Sequence, residues 1–483
     1  MSFTNIEFMF FLPVVFMLYW AGPRQRVYQN SVLLVASYLF YGSWHWHLLV
    51  LIVAGTWLDF YVTRRFAEPD LDQQHRKRLL IISLLFSLGS LSFFKYAGFF
   101  ASSANSALLN LGFENSLPVL KLILPLGISY WTLQRVGYVL DTYWRRIEPG
   151  KSLLDFSLFV CFFGQVAAGP ISRGSELLTQ LKEPRRLEAD WITRGCFAFL
   201  IGYTLKAFVG EIFGDNIVSR TFVSPEIYSP IYLWIGVFAF AGQVFADFAG
   251  YSLMAIGVAR VFVIELPQNF NAPFLSRSLP ELWRRWHITL NRWLFDYIFT
   301  PMTTSKGWTR NQLDLGMLVV FATSGLWHGA AWTYVCWGLL HALGMIIQRN
   351  WDVIYRGWCR SNRRFVQWRK SIWYSGVAWV LTLLFFVLTL VPFRAADMQI
   401  AIGYYHGLIS PIGSSAVDIS PMSLLAFLFI VVMHLVELKY FSSAKTRFHR
   451  IPPLLRGVAY GLAVALLILI VPFSSGTFIY QQF

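Results

Sequence analysis

Long apolar runs separated by short polar stretches are the first pattern along this chain. A membrane-spanning helix needs about 20 mostly apolar residues. Long apolar runs include the first twenty residues, MSFTNIEFMFFLPVVFMLYW, the segment Phe238 to Ile256 and the shorter segment Val458 to Pro472. The polar stretches alternate in charge. Arg64 to Arg78 is basic, whereas Ala101 to Ser116 carries only Glu114; Arg145 to Asp190 is rich in arginine, and Gly214 to Pro230 is nearly neutral. Residues 349 to 372 hold seven Lys/Arg against one Asp, residues 394 to 422 are almost uncharged, and residues 439 to 456 hold five Lys/Arg.

Lysine and arginine mark cytoplasmic loops, so the alternation predicts a chain with both termini outside the cytoplasm and an even number of crossings, ten to twelve. The first positive charges, Arg24 and Arg26, follow the first apolar run rather than precede it. That order predicts a retained first span rather than a cleaved signal peptide. Two segments do not fit simple crossing. Phe156 to Pro170 is flanked by charge of the same side, and Leu124 to Gly127 interrupts an apolar run with Pro125 and Gly127. Both predict re-entrant or broken helices, which a bilayer admits only where protein or a cavity surrounds them. With no internal repeat and no low-complexity linker, the expected organisation is a single all-α integral-membrane domain over 1–483.

Composition agrees with this reading. Of 483 residues 56% are hydrophobic and 13% charged, where soluble domains carry about 25% charged residues. The formal charge of +15 lies between the apolar runs and forms no basic stripe with interleaved aromatics, which points to anionic membrane lipids and away from nucleic acid. Cys161, Cys196, Cys336 and Cys359 are scattered, so neither a metal site nor a disulfide framework is expected.

Three places carry candidate chemistry. Asp247 lies inside Phe238 to Ile256 with Gln243 one helical turn before it; an ionised group at the centre of a span costs roughly 2.5–3.5 kcal/mol on insertion scales. The pair is either functional or an interhelical hydrogen-bond pair that holds the bundle. The second place is SLPELWRRWHITLNRWLFDYIFTP, residues 278 to 301. Ser278 and Glu281 are spaced as a capping box with Pro280 in the first turn, and Trp283, Trp286, His287, Leu290 and Leu294 follow the spacing of one helix face. That segment is either an interfacial helix with an aromatic belt or one that also brings His287 to a site.

The third place is SGLWHGAAW, residues 324 to 332, in an uncharged run of 33 residues from Leu315 to Ile347. Two helices are predicted to meet there at small residues, with His328 at membrane depth between Gly325 and Gly329. A neutral imidazole can take a proton from a hydroxyl and return it, as acyl transfer from a thioester requires; the plainer reading is a histidine bonded to a neighbouring helix. His341, His406 and His434 lack such context and are read as structural. No GxSxG, P-loop, GxGxxG or HExxH motif is present, which removes the soluble hydrolase, nucleotide-hydrolysing and zinc-protease mechanisms.

The chain resembles the membrane-bound O-acyltransferases, and among them the branch of alginate O-acetyltransferases and related polysaccharide acetylation proteins. The resemblance runs through LLVASYLFYGSW (33 to 44), FFKYAGFF (93 to 100), LPLGISYWTLQRVGYVLDTYWR (124 to 145), GQVAAGPISR (164 to 173), DFAGYSLMAIG (247 to 257), PQNFNAPF, ELWRRWHITLNRW, GLWHGAAWTYVCWGLLHA and PFRAADMQIA, to FIYQQF at the end. It implies a fold of re-entrant and spanning helices around a buried catalytic funnel, with a core at about 90–350 and C-terminal helices at 373–473. It also implies that His328 and His287 are catalytic, and that Asp247, Gln243, Tyr251, Ser252, Trp286 and Trp327 are substrate-binding candidates. Ala249 and Leu253 depart from the alginate pattern toward that of the D-alanine transfer proteins of teichoic acid synthesis, and Gly164 stands where the family commonly has proline.

The resemblance further implies acetyl transfer from a cytoplasmic thioester, acetyl-CoA or another acyl thioester, with no resident cofactor, for O-acetylation of an extracytoplasmic polysaccharide. The alternatives are D-alanyl transfer to a cell-surface polymer and a non-catalytic transporter of donor or glycan. The expected location is the bacterial cytoplasmic (inner) membrane. The expected partner is an extracytoplasmic esterase-like acetyltransferase, docking at Tyr404 to Ser415 and Phe478 to Phe483.

Overall fold

The computed structural model describes residues 1–439 except 114–116, 121, 306, 308, 411, 412 and 418, and beyond 439 only residues 455, 457 and 461. Apart from residues 439, 455 and 461, the predicted run from Val458 to Pro472, the basic stretch at 439–456 and the docking segment Phe478 to Phe483 therefore lie outside the described residues. The described chain is all-helical, with a single bridge between Tyr228 and Ser415 as its one extended pairing. A bilayer offers no partner for backbone N–H and C=O groups, so apolar segments satisfy them internally as helices. Among the described residues five helices are long and apolar enough to cross: Arg26–Arg65, Gln73–Asn110, Ala189–Thr221, Pro230–Val261 and Ile372–Arg394. Ile6–Ala21, Leu313–His328 and Pro421–Leu435 are shorter apolar helices. Polar side chains at the loop edges start several of these elements: Asp72 accepts from the His75 N–H, Ser152 from Asp155, Ser371 from Tyr374 and Asp397 from Ile400.

The chain divides into two compact units, one of Met1–Phe199 with Tyr251–Pro267 and one of Leu200–Gly250 with Gln268–Phe483. In the first, polar contacts tie the N-terminal helices to later segments. Trp20 Nε1 donates to the Val261 carbonyl at 3.1 Å, and Asn30 Nδ2 donates to Asp155 Oδ1 at 2.7 Å and to the Leu181 carbonyl at 2.9 Å. Arg26 pairs with the other Asp155 oxygen at 2.9 Å. The segment Phe156 to Pro170 begins as the short helix Leu153–Cys161 and continues as buried chain without helix, which fits a segment held inside protein rather than crossing. The break at Leu124 to Gly127 is also present. Gly127 takes φ 64° immediately before the helix Ile128–Tyr143, and a Cβ there would lie 1.9 Å from the Val166 carbonyl oxygen, so only glycine fits.

The second unit contains a helical hairpin, Leu313–His328 and Trp332–Ser361, whose turn is Gly329 to Ala331, where the small residues predicted it. The hairpin is tight because glycine lets backbone meet backbone. A Cβ at Gly325 would lie 2.2 Å from the Tyr334 carbonyl oxygen, and one at Gly338 would lie 2.2 Å from that of Phe321. The second helix runs 30 residues and so is longer than the short helix expected there. Replacing Gly338 with valine is expected to force the two helices apart and lower the yield of monodisperse protein in detergent severalfold, read by fluorescence size-exclusion chromatography. An unchanged elution profile would contradict the close approach.

Candidate active site

The segment 278 to 301 starts as its sequence predicts. Ser278 Oγ accepts from the Glu281 N–H at 3.2 Å, while the Glu281 carboxylate takes the Arg277 N–H at 2.9 Å in place of that of Ser278. It does not continue as one helix. Leu279–Arg285 ends, Trp286 is extended, and His287 adopts φ 44°, ψ 52° before Ile288–Leu294 begins. The left-handed conformation costs a non-glycine residue roughly 1–2 kcal/mol, and the surrounding hydrogen bonds hold it. Asn291 Nδ2 donates to the Trp283 and Trp286 carbonyls at 2.8 and 2.5 Å, and the Ile288 N–H donates to the Asn269 carbonyl at 2.9 Å. Asn269 Oδ1 accepts from Thr289 Oγ1 at 2.6 Å. The break turns His287 away from the straight face on which the spacing placed it.

His287 is 1% exposed, with its ring edge-on to Phe248 at 4.5 Å and 5.5 Å from Trp327. Among the described residues neither of its ring nitrogens has a hydrogen-bond partner. Burial pushes its pKa down, so the ring is neutral near pH 7 and offers one donor and one acceptor. Orphaned buried polar atoms are uncommon, and they concentrate where a protein engages something other than itself.

His328 ends the first hairpin helix and is 4% exposed. Its ring stands edge-to-face against Trp327 at 5.0 Å, Trp337 at 5.0 Å and Phe393 at 5.1 Å. Trp327 thus touches both histidines and joins them in one aromatic cluster. The wall continues through Trp286, which packs on Phe270 at 5.1 Å and Phe386 at 5.0 Å. His341 bonds Thr389 Oγ1 through Nε2 at 2.9 Å and lies 4.9 Å from both Trp283 and Trp337. His434 bonds the Ile430 carbonyl through Nδ1 at 2.9 Å, and His406 is exposed. The other ring nitrogen of each, His341 Nδ1 and His434 Nε2, is buried without a hydrogen-bond partner among the described residues.

Asp247 sits next to Phe248, which contacts His287, on the helix Pro230–Val261. Its Oδ1 lies 3.5 Å from Lys206 Nζ, with both side chains buried. Lys206 occupies a π-helical turn, Thr204–Gly210, of the preceding helical stretch. Glycines admit the polar pair. A Cβ at Gly210 would lie 2.4 Å from Asp247 Oδ1, and one at Gly214 would lie 2.5 Å from Gln243 Nε2. Gln243 and Asp247 therefore face the same neighbour four residues apart, as their spacing predicts. Tyr251 and Ser252 follow one turn later on that helix but belong to the first unit, where the Tyr251 ring stacks on Phe3 at 4.9 Å.

Sequence reasoning missed Lys206, Phe248 and the two asparagines that set His287. The signal for Lys206 was available: a lysine in LIGYTLKAFVG, inside an apolar run, needs an acidic partner. Among the described residues no group of three or more His, Cys, Asp or Glu side chains is placed to hold a metal ion. The cluster can shelter a reacting centre from water and present two imidazoles to it.

The model of the membrane-bound O-acyltransferase family matches residues 48–391. The chain is 32% identical over 409 residues to the probable alginate O-acetylase AlgI of Pseudomonas aeruginosa, covering 84% of this chain and 74% of that protein. It is 31% identical over 441 residues to the peptidoglycan O-acetyltransferase of Helicobacter pylori, covering 85% and 80%. Similarity to the teichoic acid D-alanyltransferase of Bacillus subtilis is 30% over 259 residues, covering 51% and 65%.

Proposed function

Because the chain belongs to the membrane-bound O-acyltransferase family and is an O-acyltransferase, we propose that it acetylates an extracytoplasmic polysaccharide, with His328 as the proton-transfer group and His287 as its companion. The observation that carries the reading is the pair of buried histidines that both pack against Trp327. In the step proposed, an acceptor hydroxyl attacks the carbonyl carbon of an acyl thioester. A neutral imidazole at His328 takes the hydroxyl proton as the C–O bond forms. The C–S bond then breaks, and the same nitrogen returns the proton to the departing thiolate. Trp286, Trp327, Trp337 and Phe393 supply the dry wall that keeps water from the thioester, and Asp247 and Gln243 are proposed to line the path of substrate.

The donor in this reading is acetyl-CoA or another cytoplasmic thioester, bound as substrate. The membrane is the bacterial inner membrane, with both chain termini on the outer side, and the acetyl group passes to an esterase-like extracytoplasmic acetyltransferase that delivers it to the polymer. Acetyl is favoured over D-alanyl because the acetylating relatives align over 84–85% of the chain and the D-alanyltransferase over 51%. The test is mass spectrometry of cell-surface polymers from cells with and without the gene. Loss of a 42-dalton substituent supports acetyl transfer, loss of a D-alanyl ester supports the alternative, and unchanged polymers exclude both.

A further inference from the structure

The first unit holds a cavity of about 380 Å³ lined by Phe66, Leu71, Arg76, Arg145, Arg146 and Glu148 among others. It lies between the two arginine-rich stretches, Arg64 to Arg78 and Arg145 to Asp190, that the charge pattern puts on one side of the membrane. The Arg76 side chain is the built part of its wall. It is 6% exposed, its guanidinium lies 5.4 Å from the Phe66 ring centre and 5.2 Å from that of Tyr143, and Nη2 donates to the Tyr143 carbonyl at 2.7 Å. Its Nε has no hydrogen-bond partner among the described residues. Among the described residues no carboxylate pairs with Arg76, whose hydrogen bonds go to the Thr142 and Tyr143 carbonyls, so this buried cation lacks an anion that the protein itself supplies.

Arg145 adds a second cation by an unusual route. The helix Ile128–Tyr143 closes with the Arg146 N–H on the Asp141 carbonyl at 2.8 Å and the Arg145 N–H on the Thr142 carbonyl at 3.1 Å, which places Arg145 at φ 60°. Glycine is the usual residue at that position of this motif. Among the described residues Arg145 makes no ion pair, whereas Glu68 is engaged by Arg65 and Arg146 by Asp141. Arg76 and Arg145 thus share the cavity with one remaining carboxylate, Glu148.

We propose that this cavity binds a phosphate group, which Arg76 and Arg145 hold by charge-assisted hydrogen bonds. Phosphate reaches such a site either on the headgroup of an anionic lipid or on a free solute. The full-length protein is purified into phosphatidylcholine nanodiscs with or without phosphatidylglycerol, and retained lipid is counted by native mass spectrometry. Inorganic phosphate is titrated separately into the phosphatidylcholine sample and followed by thermal shift. Arg145→Gly removes the guanidinium and relieves the left-handed strain, so this variant folds at least as well as the parent, and Arg363→Gln, in a different basic stretch, is the control.

Retention of phosphatidylglycerol, or a saturable response to inorganic phosphate, that falls about tenfold in Arg145→Gly and stays unchanged in Arg363→Gln supports the site. Whichever probe responds identifies the source as lipid or solute. The proposal is overturned if neither probe binds, if Arg145→Gly binds as the parent does, or if Arg363→Gln loses as much.

Discussion

Replacing His328 with alanine is expected to lower acyl transfer by about 10²- to 10⁴-fold, the range that one positioned proton-transfer group contributes. The ring also fills space against Trp327, Trp337 and Phe393, so alanine leaves a gap as well as removing the imidazole. His328→Gln separates the two effects, because it keeps most of the volume and a polar end but does not cycle a proton near pH 7. The measurement is the rate at which purified protein exchanges labelled acetyl between thioester and acceptor, normalised to the folded fraction from size-exclusion chromatography. Loss in both variants at parental folded amounts is the expected result. A His328→Gln protein with parental exchange would end the assignment.

The parts of this site that were legible in the sequence are those set by neighbours in the chain. The turn at Gly329 to Ala331, the helix start at Ser278 and the break at Gly127 each follow from local residue types, and each is found. The apolar runs gave the helical class for the same reason, since a bilayer leaves the backbone little choice. His287 shows where local pattern misleads. The spacing of Trp283, Trp286, Leu290 and Leu294 survives a helix break when one residue turns left-handed, and one of the two asparagines that stabilise the break, Asn269, lies outside the segment. Lys206 and Asp247 are 41 residues apart. Either charge is visible alone, but their pairing depends on two helices packing through Gly210 and Gly250, which no periodicity reports.

The same limit hides the most buried ion pair of the first unit, and it leads to a second large effect. Arg135 Nε bonds Asp59 Oδ2 at 2.6 Å with both side chains fully buried, and Ser83 Oγ donates to the other carboxylate oxygen at 2.6 Å. Gly55 makes room, since a Cβ there would lie 2.1 Å from Arg135 Nη1, and the rings of Trp131 and Phe86 flank the guanidinium at 5.6 and 5.7 Å. Nη1 and Nη2 have no hydrogen-bond partners among the described residues, so the buried cation relies on one carboxylate. Removing one member of a buried pair costs about 3–5 kcal/mol because the other charge is left uncompensated, whereas replacing both with apolar groups of similar size is often nearly neutral. Asp59→Leu and Arg135→Met are therefore each expected to lower the thermal midpoint of the detergent-solubilised protein sharply, and the double variant to recover most of the loss. The check is a double-mutant cycle on thermal unfolding followed by tryptophan fluorescence. If the double variant lost the sum of the two single effects, Asp59 and Arg135 would be acting independently, and the pair would not be what holds these three helices together.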